Sequence, residues 1–403
     1  MLAYARKVLG WEELLDAVKD ARTAPQIPTR TILRSAAVMF LGRLGSLNAL
    51  EQSGPSRFWE KWLGRSLPSA DTVSRACHSM DEAGLRALIH HLYSRLKRMK
   101  ALDPPFHRLM VGILDAHESH ATYLRHCPGC LERVIRTPQE ERIQYYHRHV
   151  SFLLAGRDFY LLLDVEPLRP GEDEVTAALR LLERVLAVYL RAFDVILGDG
   201  LYADYRVFNY ARQHGKDVIA VLKDNHPDLI QDARDLFDAI PPAMVKNEFG
   251  ECQHWDAEGF TSWSTLEGPV RVVRSVEKRT VHRQLNDQDE ELQSEWMWAT
   301  TLSSQQASTQ TVVRLGHGRW MIENQGYNEL VNRWHADHVY KHDCQAMLVF
   351  WLVAIICLNV FLAFWNRNLK PAVRQKVSML HVSRLIMSEL YAAIPTASSR
   401  APP

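Results

Sequence analysis

The chain has 403 residues, 47% of them hydrophobic and 24% charged; this balance excludes a disordered polymer and leaves material for a large core shared among two or three domains. The formal net charge is +1, yet residues 1–110 hold 17 Lys and Arg against 10 Asp and Glu, an excess of +7 that permits a nucleic-acid-facing end. Six cysteines, at 77, 127, 130, 252, 344 and 357, are too sparse for a disulfide framework, and "MLAYARKVLGWEELLDAVKD" lacks the apolar run of a signal peptide, so a cytoplasmic protein is expected.

From Met1 to about Leu102 apolar residues recur at helical spacing, as in "TRTILRSAAVMFLGRLGSLNALEQ". In "LPSADTVSRACHSMDEAGLRALIHHLYSRLKRMK" Ser69 is a candidate N-cap, and Ser79 or Asp81 a candidate cap for a second helix. Two short helices joined by a tight turn are compatible with a helix-turn-helix-like module in which Thr72, Ser74 and Arg75 face DNA. A plain bundle with a solvated basic face fits the same pattern.

"DPP" at 103–105 breaks the chain, and strands follow. "HRLMVGILDAHES" is an apolar run ending in Asp115, and "YYHRHVSFLLAGRDFYLLLDVEPL" reads as two strands turning at Gly156–Asp158. A long helix, "GEDEVTAALRLLERVLAVYLRAF", precedes the strand "DVILGDGLYAD", which ends in Asp199; a helix and the strand "DVIAVLK" come next. Strand, strand, strand, helix, strand, helix, strand is the plan of the ribonuclease-H-like fold. It sets two Asp side chains, 84 residues apart in sequence, at the ends of adjacent strands. Asp194 and Asp204 compete with Asp199; the first begins the strand and the second suits a helix cap.

Residues 241–305 read as a β-rich insertion, and the chain from about Ser308 to Phe364 as helical. "AMLVFWLVAIICLNVFLAFW", Ala346 to Trp365, is long enough to span a bilayer and holds one strongly polar residue, Asn359. The end of the chain, "AAIPTASSRAPP", reads as a Pro, Ala and Ser-rich disordered tail.

Phosphodiester cleavage and strand transfer need an activated hydroxyl and a stabilised leaving oxygen. Two Mg²⁺ ions held by carboxylates supply both. Asp115 and Asp199 offer two carboxylates, and a later helix must bring the third. Glu323 in "RWMIENQGYNEL" meets that demand; the simpler reading is an i,i+4 ion pair with Arg319, and Glu329 is a rival.

With "GILDAHES", "ILGDGLYAD", "VLKDNHPDL", "RWMIENQGYNEL" and "WHADHVYKHD" followed by the apolar helix, the chain from Val111 to Leu369 resembles the DDE transposases of bacterial insertion sequences that carry a β-rich insertion. The resemblance implies a ribonuclease-H-like α/β core with catalytic Asp115, Asp199 and Glu323, two Mg²⁺ or Mn²⁺ ions, terminal inverted repeats and target DNA as partners, and a homodimer on DNA. It implies DNA contacts from Arg319, and from Lys223 and Asn225 in the family's K-x-N segment. Gly316 and Leu330 stand where the family has a Tyr and a Lys; Arg333, His335 and Lys341 are candidate replacements on phosphate. The apolar helix becomes one that packs against the sheet, and a membrane anchor recedes.

The implied order is a helical DNA-binding domain at 1–105, the first part of the core at 106–240, the insertion at 241–305, helical completion of the core at 306–370 and a partly disordered tail at 371–403. A catalytically silent DNA-binding descendant is the alternative function. Finally, "HCPGC" has the spacing of half a zinc site, with Cys127 and Cys130 as thiolates and His147, His149, His126 or His120 as further ligands. Two reduced thiols on a loop are the simpler reading.

Overall fold

Apolar spacing and capping chemistry set the first hundred residues as helices: α1 (Leu2–Tyr4), α2 (Glu12–Leu15), α3 (Thr29–Leu41), α4 (Leu47–Gln52), α5 (Arg57–Leu63), α6 (Ala70–His78) and α7 (Glu82–Arg98). Ser69 caps α6 by accepting from the Thr72 N–H at 3.3 Å, and Asp81 caps α7 by accepting from Ala83 and Gly84. The computed structural model describes residues 1–105, 108–247, 250–283 and 288–392. Beyond the break lie β1 (Val111–Thr122), β2 (Leu131–Arg136), β3 (Glu141–Ala155), β4 (Tyr160–Pro167), α8 (Glu174–Tyr189), β5 (Val195–Gly198), α9 (Tyr205–Gln213), β6 (Asp217–Val221) and α10 (Pro227–Asp238). The insertion is β7 (Ala243–Asn247), β8 (Gly250–Phe260), β9 (Val270–Arg283) and β10 (Gln288–Thr300), followed by α11 (Thr309–Gly318), α12 (Asn328–Asn332), α13 (Cys344–Arg367), α14 (Pro371–Arg374) and α15 (Met379–Ala392).

Contacts divide the chain into two compact units: residues 1–103, 116–177 and 324–403 form the first, and 104–115 with 178–323 the second. The division cuts across the linear order of segments, because β1 passes from the second unit to the first between Asp115 and Ala116.

In the first unit, β2 and β3 pair antiparallel from Leu131↔Tyr146 to Arg136↔Glu141, and β3 pairs with β4 across the turn in which the Gly156 N–H donates to the Phe159 carbonyl at 2.8 Å. Strand β2 is an addition to the three strands expected before the first core helix. Its six residues, "LERVIR", carry too few apolar side chains to signal a strand without their partner. Helix α13 packs against α3, α6, α7 and β4, and its residues from Leu348 to Phe364 are all buried, so the bilayer-length segment is a core helix of this unit.

The single polar residue of that segment has a defined role. Asn359 is 1% exposed; its amide donates to the Leu162 carbonyl at 2.8 Å and its Oδ1 accepts from the Leu162 N–H at 3.2 Å. A side-chain amide thus supplies to β4 the backbone pairing that a further strand would have given. Asn359→Leu strands both Leu162 groups, and at about 1–3 kcal/mol for each buried unsatisfied group it is expected to cost about 2–4 kcal/mol; denaturant titration of the full chain measures it, and a loss below about 0.5 kcal/mol would contradict this role.

The end of the described chain departs from the expected tail. Residues 379–392 form α15, whose Leu390 carbonyl accepts from the buried Ser56 hydroxyl at 2.7 Å. The disordered reading weighed the composition of the last residues, of which 393–403 lie outside the described residues.

In the second unit β1 and β5 are parallel, as are β5 and β6; β10 is antiparallel to β6, and β9, β8 and β7 continue antiparallel beyond it. The continuous apolar runs of β5 and β6 reflect burial on both faces, with α9 packed on β6 and α11 on β5, β6 and β9. Strands and helices thus build a mixed sheet flanked by helices, the ribonuclease-H-like class. The insertion adds its four strands to that sheet through β10.

Candidate active site

Three carboxylates fall within the second unit. In the β1–β5 pairing Val111 faces Val195, Gly112 faces Ile196 and Ile113 faces Leu197, a constant offset of 84 residues. Carried two residues further, that register sets Asp115 opposite Asp199. Both side chains then leave the same face as their partners at Ile113 and Leu197, on strands about 4.8 Å apart.

The Asp199 turn is built from its neighbours. Its Oδ1 accepts from the Leu201 N–H at 2.9 Å and its carbonyl from the Tyr202 N–H at 3.1 Å. Asn225 donates from its amide to the Gly200 carbonyl at 3.1 Å and the Ala203 carbonyl at 3.4 Å, tying the end of β6 to this turn. Lys223 lays its stem over Gly200, where a Cβ would come within 2.8 Å of the lysine Cδ. The rivals have other work: Asp204 caps α9 by accepting from the Arg206 N–H, and Asp194 accepts from the Met110 N–H, joining the starts of β1 and β5.

Glu323 comes from the helical stretch after α11, at the start of a π turn, Ile322–Tyr327. A widened turn of this kind shifts the register of a helix face and is common at functional sites. Arg319, 8% exposed, donates to Glu323 at 2.7 Å and lies 3.7 Å from Asp115, so one guanidinium links two of the three carboxylates. Its role is therefore larger than the surface ion pair that the i,i+4 spacing describes.

Three residues that the sequence did not single out prepare this helix. Arg271, 3% exposed, pairs with Asp256 and donates to the Leu302 and Ala307 carbonyls, and the Thr309 hydroxyl donates to Asp256 at 2.6 Å. Together they fix the loop that enters α11. Arg271 sits in a run of alternating strand residues and carries no sequence signal of that task.

The match to known proteins decides the class. The family model described as "Transposase DDE domain" matches residues 113–360, more than half of the chain. The chain belongs to the DDE transposase family. A piggyBac transposase, solved by cryo-EM as a synaptic complex with hairpin DNA, is similar with a TM-score of 0.46 at 9% identity, over 97% of this chain and 78% of that one. No sequence among the curated proteins matches.

The two departures from the transposase pattern have packing causes. A Cβ at Gly316 would run into the Trp298 indole, so a tyrosine has no room there. Leu330 is fully buried, where a lysine would carry an uncompensated charge into the core. The rival Glu329 is buried too, between Arg43 at 3.6 Å and Arg333 at 3.2 Å, with the Trp334 indole donating to it.

The remaining candidates lie in the first unit. Arg333 is engaged with Glu329 while keeping 43% of its side chain exposed; Arg75 on α6 is 69% exposed and pairs with Asp71. Thr72 bonds its own cap, Ser69, at 2.9 Å. Cys127 and Cys130 meet His147, as one expectation had it, but the fourth member is His342, 212 residues beyond Cys130. His149 instead packs on Trp351 and His117, and His126 stacks on Tyr145. Burial pushes the His147 imidazole down to about 4, which leaves the ring neutral at pH 7.

Proposed function

We propose that this transposase is the enzyme of an insertion sequence, cutting and joining DNA ends with Asp115, Asp199 and Glu323 as its acidic set. The reading rests above all on the 84-residue offset of the β1–β5 register, which is the separation of the two aspartates. The donor set fits hard divalent cations, since it is all carboxylate oxygen and comes from within β1, where the strand runs on past Asp115 rather than ending there as expected, from the turn after β5, and from the helical stretch of Glu323. Asp115, Asp199 and Glu323 would hold two Mg²⁺ or Mn²⁺ ions; bound there, these would activate water or a 3′ hydroxyl and stabilise the leaving oxygen.

The rest is work for the chain itself. Arg319 holds the Glu323 carboxylate toward Asp115 and offsets their mutual repulsion. Asn225 keeps the Asp199 turn in shape, a positioning role rather than a DNA contact. Lys223, exposed beside that turn, is placed to take a backbone phosphate, as is Arg333, while exposed Arg75 on α6 offers a further DNA contact. Specificity for terminal inverted repeats falls to the helices of residues 1–105, and pairing two DNA ends calls for a homodimer in the cytoplasm.

Glu323→Gln tests the assignment on duplexes bearing the element's ends, with Mg²⁺ or Mn²⁺. Binding should persist, and cleavage and strand transfer should fall by about 10³-fold, roughly 4 kcal/mol at 1.36 kcal/mol per tenfold. Undiminished cutting by this variant overturns the site; a parent protein that binds these ends and cuts none with either metal overturns the function.

A further inference from the structure

Two thiols and two imidazoles converge in the first unit, whereas the three carboxylates belong to the second. The ligand atoms of Cys127, Cys130, His147 and His342 all lie within 4.8 Å of one another. Cys127 and Cys130 sulfurs are 3.8 Å apart; His147 Nε2 lies 3.5 Å from the first and 3.3 Å from the second, and His342 Nε2 3.4 Å from the second. For a tetrahedral zinc with bonds of about 2.3 Å to sulfur and about 2.0 Å to nitrogen, the edges come to about 3.8 Å between sulfurs and about 3.5 Å between sulfur and nitrogen. These four spacings are close to the edges of such a tetrahedron, the other two lie within 4.8 Å, and the sulfur separation is far too long for a disulfide.

The surroundings are shaped to bring the four together. Gly129 lets the "CPGC" turn press on the first residue of α13, since a Cβ there would lie 2.8 Å from the Cys344 Cβ. The Cys127 N–H donates to the Cys130 sulfur at 3.2 Å, which holds that sulfur within the turn. His342 immediately precedes Asp343, which caps α13 by accepting from the Ala346 N–H and accepts from His78 of α6 at 2.7 Å.

We infer that Cys127, Cys130, His147 and His342 form a structural Cys₂His₂ zinc site that clips the β1–β2 loop and β3 to the start of α13. All four positions are taken by protein side chains, so the site has no open place for substrate. Through Asp343 and His78 the clip also steadies the end of α6, the helix that carries Arg75.

The experiment uses the full chain purified from zinc-supplemented cells, with metal content read by mass spectrometry and Co²⁺ exchanged for zinc and read by visible absorption. The parent should hold about one zinc per chain, and its cobalt form should show the strong bands of a tetrahedral thiolate site. His342→Ala and Cys130→Ser should lose that equivalent, whereas His126→Ala, on the same loop, should keep it. His342→Cys should retain the metal and shift the cobalt bands toward a three-thiolate spectrum. A folded parent without zinc, or without tetrahedral cobalt bands, overturns the proposal whatever the variants do. Loss of zinc from His126→Ala with retention in His342→Ala overturns the ligand assignment. None of these readouts depends on DNA cleavage.

Discussion

An Asp199→Asn protein is expected to keep its fold and to lose about 10³-fold or more of cleavage and strand transfer, several kcal/mol of transition-state stabilisation. The substitution is chosen for what it retains. Asparagine still offers an Oδ1 to the Leu201 N–H, which Asp199 holds at 2.9 Å, and the backbone bond to Tyr202 is untouched, so the turn survives. What disappears is a negative charge where hard cations need one. The neighbouring acids serve as controls of the same chemistry: Asp194→Asn and Asp204→Asn should leave activity within a few-fold, since asparagine at 194 can still accept from the Met110 N–H and at 204 is nearly as good an N-cap as aspartate. Parallel assays of the three variants, with melting temperatures recorded, settle the choice. An inactive Asp204→Asn beside an active Asp199→Asn would assign the second aspartate differently.

The largest expected loss of stability is at Arg86. On α7 it donates to Asp164 at 2.8 Å, to Glu82 at 2.5 Å and to the Val165 carbonyl at 3.2 Å, and Asp164 is 3% exposed on β4. The nearby carboxylates raise the Arg86 pKa against the effect of burial. Arg86→Met takes a charged partner away from the buried Asp164 carboxylate, at a cost of about 3–5 kcal/mol. At 2–4 °C per kcal/mol the midpoint of thermal unfolding should fall on the order of 10 °C. Arg86→Met with Asp164→Asn should recover most of the loss at pH 7; no recovery would mean that packing rather than charge accounts for it.

Much of this was legible in the sequence, for reasons that can be named. Apolar runs ending in Asp115 and Asp199 are read directly, because strands buried on both faces need such runs and a carboxylate cannot continue them. The caps at Ser69, Asp81 and Asp204 are short-range chemistry, visible within three residues. His342 was not legible. No spacing rule joins a histidine to thiols more than 200 residues away, and the nearer His149 and His126 drew attention instead. Nor was the weight on Arg319, since its contact with Asp115 depends on how β1 runs past the C-terminal end of α11. Asn359 showed as the one polar residue in an apolar helix, but its partner, the Leu162 backbone, leaves no mark on sequence.

The pairing of β10 with β6 bears on how such an enzyme can be rebuilt. Three residue pairs, from Trp298↔Val221 to Thr300↔Ile219, hydrogen-bond the returning strand of the insertion to the core. An insertion that closed on itself could be excised or exchanged as a cassette. Here excision would strip the outer neighbour from β6 and bare an apolar edge to self-association. Engineered shortening should therefore spare the inner ends of β9 and β10 and remove only the outer arm, where Gln288 to Gln293 pair with Lys278 to Arg283.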